Sequence, residues 1–194
     1  MTATNKRQKQ ARILRLFRKA HRTTGALLFV FFFIISVTGL LLGWKKHTGN
    51  LLLSKSHKGT SDDLSKWLPL DSLHKNATAF LSDSVSPDLS HKLNRIDVRK
   101  DKGMVKFVYA DHFTGLQLDG VTGQLLHIET RRSDFIEQIH DASFLDDYFG
   151  TSNGQIKLAY TTIMGLALLL FTVTGFWLWL GPKRMRKQSK MIAG

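Results

Sequence analysis

Two long runs without a charged residue constrain the fold of this chain more than any other feature. The first extends from Thr23 to Trp44 and the second from Leu158 to Gly181. A helix rises about 1.5 Å per residue, so about 20 apolar residues cross the roughly 30 Å hydrocarbon core of a bilayer. The sequence therefore predicts two membrane-spanning helices, over residues 23–44 and 157–181, that form a hairpin.

The distribution of charge predicts the orientation of this hairpin. Eight Lys and Arg residues precede Thr23 and five follow Gly181, whereas all 15 acidic residues lie between the two runs. The net charge of +13 therefore belongs to the basic tails, residues 1–22 and 182–194. Because basic segments stay on the cytoplasmic side, we expect cytoplasmic termini and a periplasmic segment 45–157, in a Gram-negative inner membrane.

Composition also excludes several classes of function. The basic residues lie beside the apolar runs, which suits membrane topology and the anionic lipid of the bilayer, and we expect no nucleic-acid partner. The chain has no cysteine, so it can use neither disulfides nor thiolate chemistry nor iron–sulfur clusters. Any metal site must therefore use His, Met or carboxylate ligands.

The segment between the spans predicts a small α+β domain. Residues 45–66, rich in Lys, Ser, His and Gly, are typical of a linker. Apolar residues at helical spacing predict a helix from Pro69 to about Ser82. Alternating residues predict an antiparallel sheet with four strands, Leu93 to Arg99, Met104 to Ala110, Gly115 to Leu118 and Gln124 to Glu129. The predicted domain covers residues 67–132, and an amphipathic segment and loop, 133–156, leads to the second span.

Several motifs resemble those of PepSY-associated transmembrane proteins. In the domain, residues 119–126 match the last hairpin of the PepSY domain, with Asp, then Thr-Gly, then a polar residue and two apolar ones. Residues 20–25, with Ala-His-Arg-Thr-Thr-Gly, and residues 37–40, with Val-Thr-Gly-Leu, resemble the first membrane segment of that family. Ile139-His140 and residues 174–179, with Thr-Gly-Phe-Trp-Leu-Trp, resemble the second. The resemblance spans nearly the whole chain.

This resemblance implies a redox function. The family includes haem-containing inner-membrane reductases that act on ferric iron or ferric siderophores, and the chain is similar to a compact two-span ferric-iron reductase of vibrios. Haem b is the implied cofactor. The chain departs from the larger relatives by having half their helices, and Ile139-His140-Asp141 lacks the small residues that often follow the histidine.

No histidine lies inside either predicted span, but three lie near the edges of the spans and are candidate axial ligands of haem iron. In falling order these are His21, His140 and His47. His21 and His47 are 26 positions apart, roughly 39 Å along a helix, so they cannot share one metal. Since one chain offers a single His21, two such ligands on one iron require a second chain. We therefore expect a homodimer, with a four-helix bundle and one or two haems.

Other residues suit this assembly, although each has an ordinary explanation. Gly39 and Gly43 offer a face for close approach of a second helix, but such spacing also serves packing within one chain. A haem ring needs apolar walls and small residues that leave space for it. The walls could be Phe29, Phe31, Phe32, Phe33, Phe171 and Phe176, and the space could be left by Gly25, Ser36, Gly165 and Gly175. The phenylalanines would otherwise face lipid, and a histidine beside a span is often only an interfacial residue.

Carboxylates cluster in sequence around His140 and are candidates for a ferric-iron site. Asp141, Asp146 and Asp147 would carry it, with Asp134 and Glu137 nearby, because hard oxygen donors suit ferric iron. The alternative is an ordinary solvated loop in which Asp146 and Asp147 cap a turn.

Two functions from different classes remain open at this stage. The first is a haem b ferric reductase that passes electrons to periplasmic Fe³⁺ or a ferric chelate and so supports ferrous iron uptake. No nucleotide-binding motif is present, so its electron donor would be a membrane quinol or a cytoplasmic reductase. The second is a cofactor-free, membrane-anchored PepSY module that binds or regulates an envelope protein or a protease.

Overall fold

The computed structural model describes the backbone of residues 3–193 and the side chains of residues 8–151 and 153–185. The chain divides into two compact units. One unit, the hairpin unit, joins Met1–Thr38 with Ile139–Gly194. The other, the domain unit, comprises Gly39–Gln138.

Two long helices dominate the hairpin unit. Helix α1 covers Ala3–Trp44 and helix α5 covers Gln155–Ala193. Both contain segments long and apolar enough to cross a membrane, as the sequence predicts. Their apolar side chains are largely exposed, for example Leu27 at 75% and Leu166 at 63%, which is the arrangement that lipid contact requires. Both helices continue into the basic tails, where Arg, Lys, Gln and Leu are good helix formers.

Glycines allow α1 and α5 to pack closely near the chain termini. A Cβ on Gly25 would lie 3.0 Å from the Phe171 ring, and one on Gly181 would lie 2.3 Å from Leu14. Small residues at such positions let two membrane helices approach each other. We call this part of the hairpin unit the tail end, and the part around Thr38 and residues 139–156 the loop end.

Two short helices follow the sheet domain. Helix α3 covers Arg132–Asp141 and helix α4 covers Ser143–Phe149, which agrees with the predicted amphipathic segment to within one residue. Residues 139–141 of α3 and the whole of α4 belong to the loop end. Ala142 separates them with a left-handed backbone, φ 59°. A non-glycine residue with positive φ cannot continue a helix, so the chain turns sharply directly after Asp141.

The domain unit contains the predicted helix and sheet. Helix α2 covers Leu70–Ser84. The four strands are β1 (Leu93–Arg99), β2 (Met104–Tyr109), β3 (Thr114–Asp119) and β4 (Leu125–Thr130). They form one antiparallel sheet in the order β1-β2-β3-β4. This confirms the predicted small sheet domain between two membrane helices.

The core of the domain forms between α2 and one face of the sheet. Leu73, Ala77 and Leu81 recur at helical spacing on α2 and are fully buried. They belong to one apolar cluster with the sheet residues Val105, Phe107, Tyr109, Leu116 and Leu118. The helical and alternating periodicities of the sequence therefore both point to this core.

The segment predicted to be a linker contributes to the domain. Residues 55–61 add main-chain hydrogen bonds to the sheet: His57 N donates to Gln117 Oε1, and Gly59 N donates to Lys102 O, at 2.9 Å and 2.8 Å. Asp119 accepts from the Thr60 amide at 2.9 Å and from the Thr60 hydroxyl. These bonds join residues that are 43 to 60 positions apart, so local composition cannot indicate them.

Asp119 explains the hairpin motif that suggested a PepSY domain. Its carboxylate also accepts from the amides of Val121 and Thr122, at 2.8 Å and 3.3 Å, and so holds the turn between β3 and β4. Gly123 follows with φ 68°, a conformation that favours glycine. The motif is therefore a structural device within the domain.

Candidate functional site

The first candidate ligand, His21, lies between α1 and α5 at the tail end. Its Nδ1 is 3.0 Å from the hydroxyl oxygen of Thr174. The ring also stacks on Phe171, with 3.9 Å between ring centroids. A Cβ on Gly175 would lie 3.3 Å from His21 Cε1, so that glycine leaves the space that the imidazole occupies. Contacts on three sides therefore fix the orientation of this ring.

The second candidate ligand, His140, has the same kind of partner at the loop end. It is the penultimate residue of α3, and its Nδ1 lies 2.8 Å from the hydroxyl oxygen of Thr38 on α1. Thr38 is 8% exposed and Thr174 is 2% exposed, so both hydroxyl groups are buried. Each histidine is thus held by a buried threonine of a membrane helix.

The two threonines determine which nitrogen of each imidazole carries the proton. A hydroxyl has one proton, and each hydroxyl already donates to a carbonyl of its own helix, Thr38 to Ile34 at 2.6 Å and Thr174 to Leu170 at 2.7 Å. We therefore assign each histidine Nδ1 as a donor to threonine. In the neutral ring, Nε2 then carries a free lone pair, as a metal ligand requires.

Nε2 of both rings is also free of protein partners. Within the side chains that the structure describes, neither His21 Nε2 nor His140 Nε2 has a hydrogen-bond partner. The arrangement is the one that metal-binding histidines generally show, with the second ring nitrogen donating to an oxygen.

The threonine that contacts each histidine lies in the same tripeptide on both membrane helices. Val37-Thr38-Gly39 in α1 and Val173-Thr174-Gly175 in α5 are identical tripeptides. His21 and Thr38 are 17 positions apart on α1, roughly 25 Å along its axis. His21 therefore lies at one edge of the span and His140, which is bonded to Thr38, lies at the other, so the two imidazoles are too far apart to bind one iron.

An apolar cavity of about 250 Å³ adjoins His140. It lies between α1 and α5, and Met164 is its most deeply buried wall residue at 6% exposure. Nothing in the described chain lies within 4 Å of a Cβ placed on Gly165, which borders the cavity. The other lining residues are Phe32, Ile35, Ser36, Tyr160, Thr161 and Leu168.

The two histidines and the cavity beside His140 have the chemistry that haem b requires, but the cavity has only part of the required size. Imidazole with a free Nε2 is a common axial ligand, and an apolar wall with small residues is the usual surrounding of a porphyrin. Pockets that enclose a drug-sized ligand measure roughly 300–1,000 Å³. A cavity of about 250 Å³ therefore supplies only one side of such a site.

The third candidate ligand, His47, has a different setting. It ends a short 3-10 helix, Lys45–His47, and its side chain is exposed. It belongs to the domain unit, whereas His21 and His140 belong to the hairpin unit. The structure therefore gives His47 no partner comparable to the two buried threonines among its described side chains.

Asp141, predicted to bind ferric iron, has structural partners instead. It forms an ion pair with Lys157 at 2.5 Å and accepts a hydrogen bond from the Ser143 amide at 3.0 Å. Burial acts to raise the pKa of Asp141, but the hydrogen bonds from Lys157 and Ser143 outweigh it and lower the pKa. The carboxylate is therefore ionised and holds the junction between α3 and α4.

Asp146 likewise caps the second membrane helix. It is 7% exposed, and its carboxylate accepts from the Thr151 hydroxyl and from the amides of Ile156 and Lys157, at 2.9 Å and 2.8 Å. The hydrogen bond from Thr151 is the main cause of its lowered pKa. Ionised acceptors satisfy the free amides at a helix N-terminus, so this bonding starts α5.

The structure does not bring the three carboxylates together as a set of iron ligands. Asp147 is exposed, and Asp141 and Asp146 use their oxygens in the bonds given above. Among the described residues there is no group of three His, Cys, Asp or Glu side chains that could hold a metal ion. The physical reason is that an ion pair and hydrogen bonds at the helix ends occupy the oxygens of Asp141 and Asp146 that a ferric ion would need.

The two residues that sequence reasoning missed are Thr38 and Thr174. Both were present in the motifs that suggested the family, but only as parts of Thr-Gly pairs. The repeated Val-Thr-Gly tripeptide was the available signal. Pairing each threonine with a histidine more than 100 positions away, however, requires the packing of the hairpin.

Comparison with known proteins agrees with this architecture. The family model of the PepSY-associated TM region matches residues 18–192, which is nearly the whole chain. No curated protein sequence matches this chain significantly. The family match includes both histidine–threonine pairs as well as the sheet domain between the two membrane helices. The family expected from the sequence motifs is thus confirmed, and the chain belongs to the PepSY-associated transmembrane family.

Proposed function

We propose that this protein is a haem b ferric reductase of the inner membrane, which passes electrons to periplasmic Fe³⁺ and so supports ferrous iron uptake. The observation that carries the proposal is the pair of histidines whose Nδ1 donates to a buried threonine. Both pairs leave Nε2 available for iron, one at each edge of the membrane helices. When bound, haem b supplies a one-electron carrier within the membrane.

The protein residues have three tasks in this function. Thr38 and Thr174 hold the tautomer and orientation of the two imidazoles, and the Nδ1–H bond raises the basicity of the ligating nitrogen. The apolar residues that line the cavity beside His140 exclude water from the iron and from the path of the electron. Asp141 and Asp146 fix the turn that holds His140 against α1 and α5.

The active assembly is a homodimer in this proposal. One chain offers one histidine at each edge, and its cavity supplies one side of a porphyrin site. A second hairpin would close the open side next to Gly165 and add a second histidine to each iron. Four helices then form the bundle in which membrane haems are commonly held.

The charge distribution supports a defined direction of electron flow. The basic tails anchor both termini in the cytoplasm by the positive-inside rule, so His21 lies near the cytoplasmic face and His140 near the periplasmic face. An electron that enters at the His21 edge therefore leaves at the His140 edge. Fe³⁺ or a ferric chelate is reduced there to the ferrous form.

Absorbance spectroscopy of the purified protein tests the proposal. Protein from haem-replete cells should show a Soret band that shifts when dithionite is added. His21→Ala and His140→Ala should each remove about half of this absorbance, because each histidine serves one edge. Each should also abolish ferric reduction, since the electron must pass both edges.

A matched control is His91→Ala, which changes an exposed histidine of the domain and should keep both the band and the activity. A folded, colourless protein would contradict the reductase proposal. It would favour the cofactor-free PepSY module that binds or regulates an envelope protein or protease. Ferric reduction that survives both histidine substitutions would show that the assigned ligands are wrong.

A further inference from the structure

We propose that a second cavity, at the tail end of the hairpin unit, binds the head group of a membrane hydroquinone. This inference rests on the function proposed above, because the hydroquinone would be the electron donor. The cavity measures about 170 Å³ and lies between α1 and α5. Its walls include Gln10, Ile13, Leu14, Trp177, Gly181 and Arg184.

The cavity has the size and the walls of a site for one aromatic ring. An apolar cavity of about 150 Å³ holds a benzene molecule. Ile13, Leu14 and Trp177 provide apolar surface, and the contact of Gly181 with Leu14 closes one side. The second apolar run ends at Gly181, so the cavity lies at the level where a hydroquinone with a lipid tail has its head group.

An unpartnered polar atom in the wall indicates what the ring must carry. The Gln10 side-chain oxygen is buried, and it has no hydrogen-bond partner within the described part of the chain. A buried acceptor without a donor is unfavourable, so the site favours a ligand with an O–H or N–H group. A hydroquinone hydroxyl meets this need.

Phospholipids meet only part of this need. Their acyl chains and phosphodiester groups have no donor, and a donor on the head group, such as an ammonium or a glycerol hydroxyl, does not come with a flat ring that fills the apolar walls. Arg184 at the rim of the cavity is exposed and positively charged, so it also suits the partly anionic oxygen of a hydroquinone that is losing its proton. The combination of ring-sized apolar walls with a buried acceptor therefore favours a hydroquinone over phospholipid.

The position of the cavity suits a donor for the His21 edge. The Trp177 ring stacks on Phe17 with 5.8 Å between centroids, and Phe17 precedes His21 by one helical turn. Each hydroquinone loses two electrons and two protons and becomes a quinone. The protons pass to water at the tail end, and the two electrons reduce two Fe³⁺ ions to Fe²⁺.

Fluorescence quenching measures binding without any need for haem. Decylubiquinol, added under anaerobic conditions to the purified full-length protein in detergent, should quench Trp177 with saturation, and Trp177→Phe should lose the saturable component. Gln10→Leu should weaken binding about tenfold, the loss expected for one hydrogen bond to a buried acceptor. Ile13→Phe should weaken binding by filling part of the cavity, and it adds no tryptophan to the signal. Gln8→Leu, which changes an exposed glutamine on the same helix, should bind like the wild type.

Equal quenching in all four variants would overturn the proposal, since it would show only partition into the detergent. Binding that phosphatidylglycerol displaces and that Gln10→Leu does not change would also overturn it, in favour of a lipid site.

A redox experiment tests whether the bound hydroquinone is the electron donor. Anaerobic addition of decylubiquinol should shift the Soret band as dithionite does. If dithionite shifts the Soret band and decylubiquinol does not, the cavity is not the electron-donor site, but the reductase proposal is unaffected. Saturable binding to a colourless protein would keep the quinone site and reject the reductase.

Discussion

Replacing either threonine by valine should weaken haem binding by removing the acceptor of a histidine Nδ1–H. Valine has nearly the shape of threonine, so Thr38→Val and Thr174→Val delete a hydroxyl without opening a cavity. The lost bonds measure 2.8 Å to His140 and 3.0 Å to His21. An unsatisfied buried donor costs about 1–3 kcal/mol, and a lost outer partner of a metal ligand typically lowers affinity 10- to 100-fold.

These two magnitudes agree, because a tenfold change in affinity corresponds to about 1.4 kcal/mol. We therefore expect haem dissociation constants 10- to 100-fold higher for the valine variants. The measurement is a haem titration of the haem-free protein, followed by absorbance. Thr38→Ser and Thr174→Ser are the matched controls, because serine keeps the hydroxyl and should bind haem almost as the wild type does.

A second measurement separates the tautomer from general damage to the fold. Nitrogen NMR of labelled histidine in the haem-free protein should show Nδ1 protonated and Nε2 unprotonated for His21 and His140. The valine variants should lose this preference while their thermal unfolding in detergent changes little. Wild-type rings protonated at Nε2 would refute the reasoning, and so would valine variants that bind haem like the serine controls.

Other predictions concern the residues that shape the domain and the site. Asp119→Asn should destabilise the domain by about 2 kcal/mol in chemical unfolding, since it weakens four hydrogen bonds to an ionised carboxylate. Burial acts to raise the pKa of Asp119, but those bonds lower it, so the stabilisation is present above about pH 4 and is lost as the pH falls below the lowered pKa. Unfolding curves with equal pH dependence for both proteins would contradict this. Gly175→Leu should displace the His21 ring, which lies 3.3 Å from the added Cβ, and remove the same part of the Soret band as His21→Ala. Asp146→Asn should lower the melting temperature by weakening the N-terminal cap of α5, and an unchanged melting curve would count against that role.

The sequence predicts the elements of this fold well, because each follows from a local pattern. Absence of charge over more than 20 residues indicates the two spans, and alternation gives the four strands to within one or two residues. The segment 55–61 was expected to be a linker because its composition is polar. Its bonds to Gln117 and Asp119 join distant parts of the chain, and composition carries no signal for them.

The candidate site shows even more clearly that local sequence does not reveal contacts between distant residues. The residue types at His21 and His140 indicated ligands, and the structure gives both of them partners that suit that role. The acidic residues near His140 were equally suggestive in sequence, yet Asp141 and Asp146 cap or join helices. A carboxylate serves a helix terminus or a metal with the same oxygens, so only the positions of the nearby amides decide between the two.

The two ends of the hairpin together argue for a function that crosses the membrane. A single histidine–threonine pair could stabilise the packing of two helices, and one such pair would suffice for that purpose. This chain has two pairs, built on identical Val-Thr-Gly tripeptides and roughly 25 Å apart. Both assign the proton to Nδ1 and leave Nε2 unused among the described side chains. Packing alone gives no reason to leave a ligand at each edge, whereas electron transfer from one face to the other requires a carrier at both.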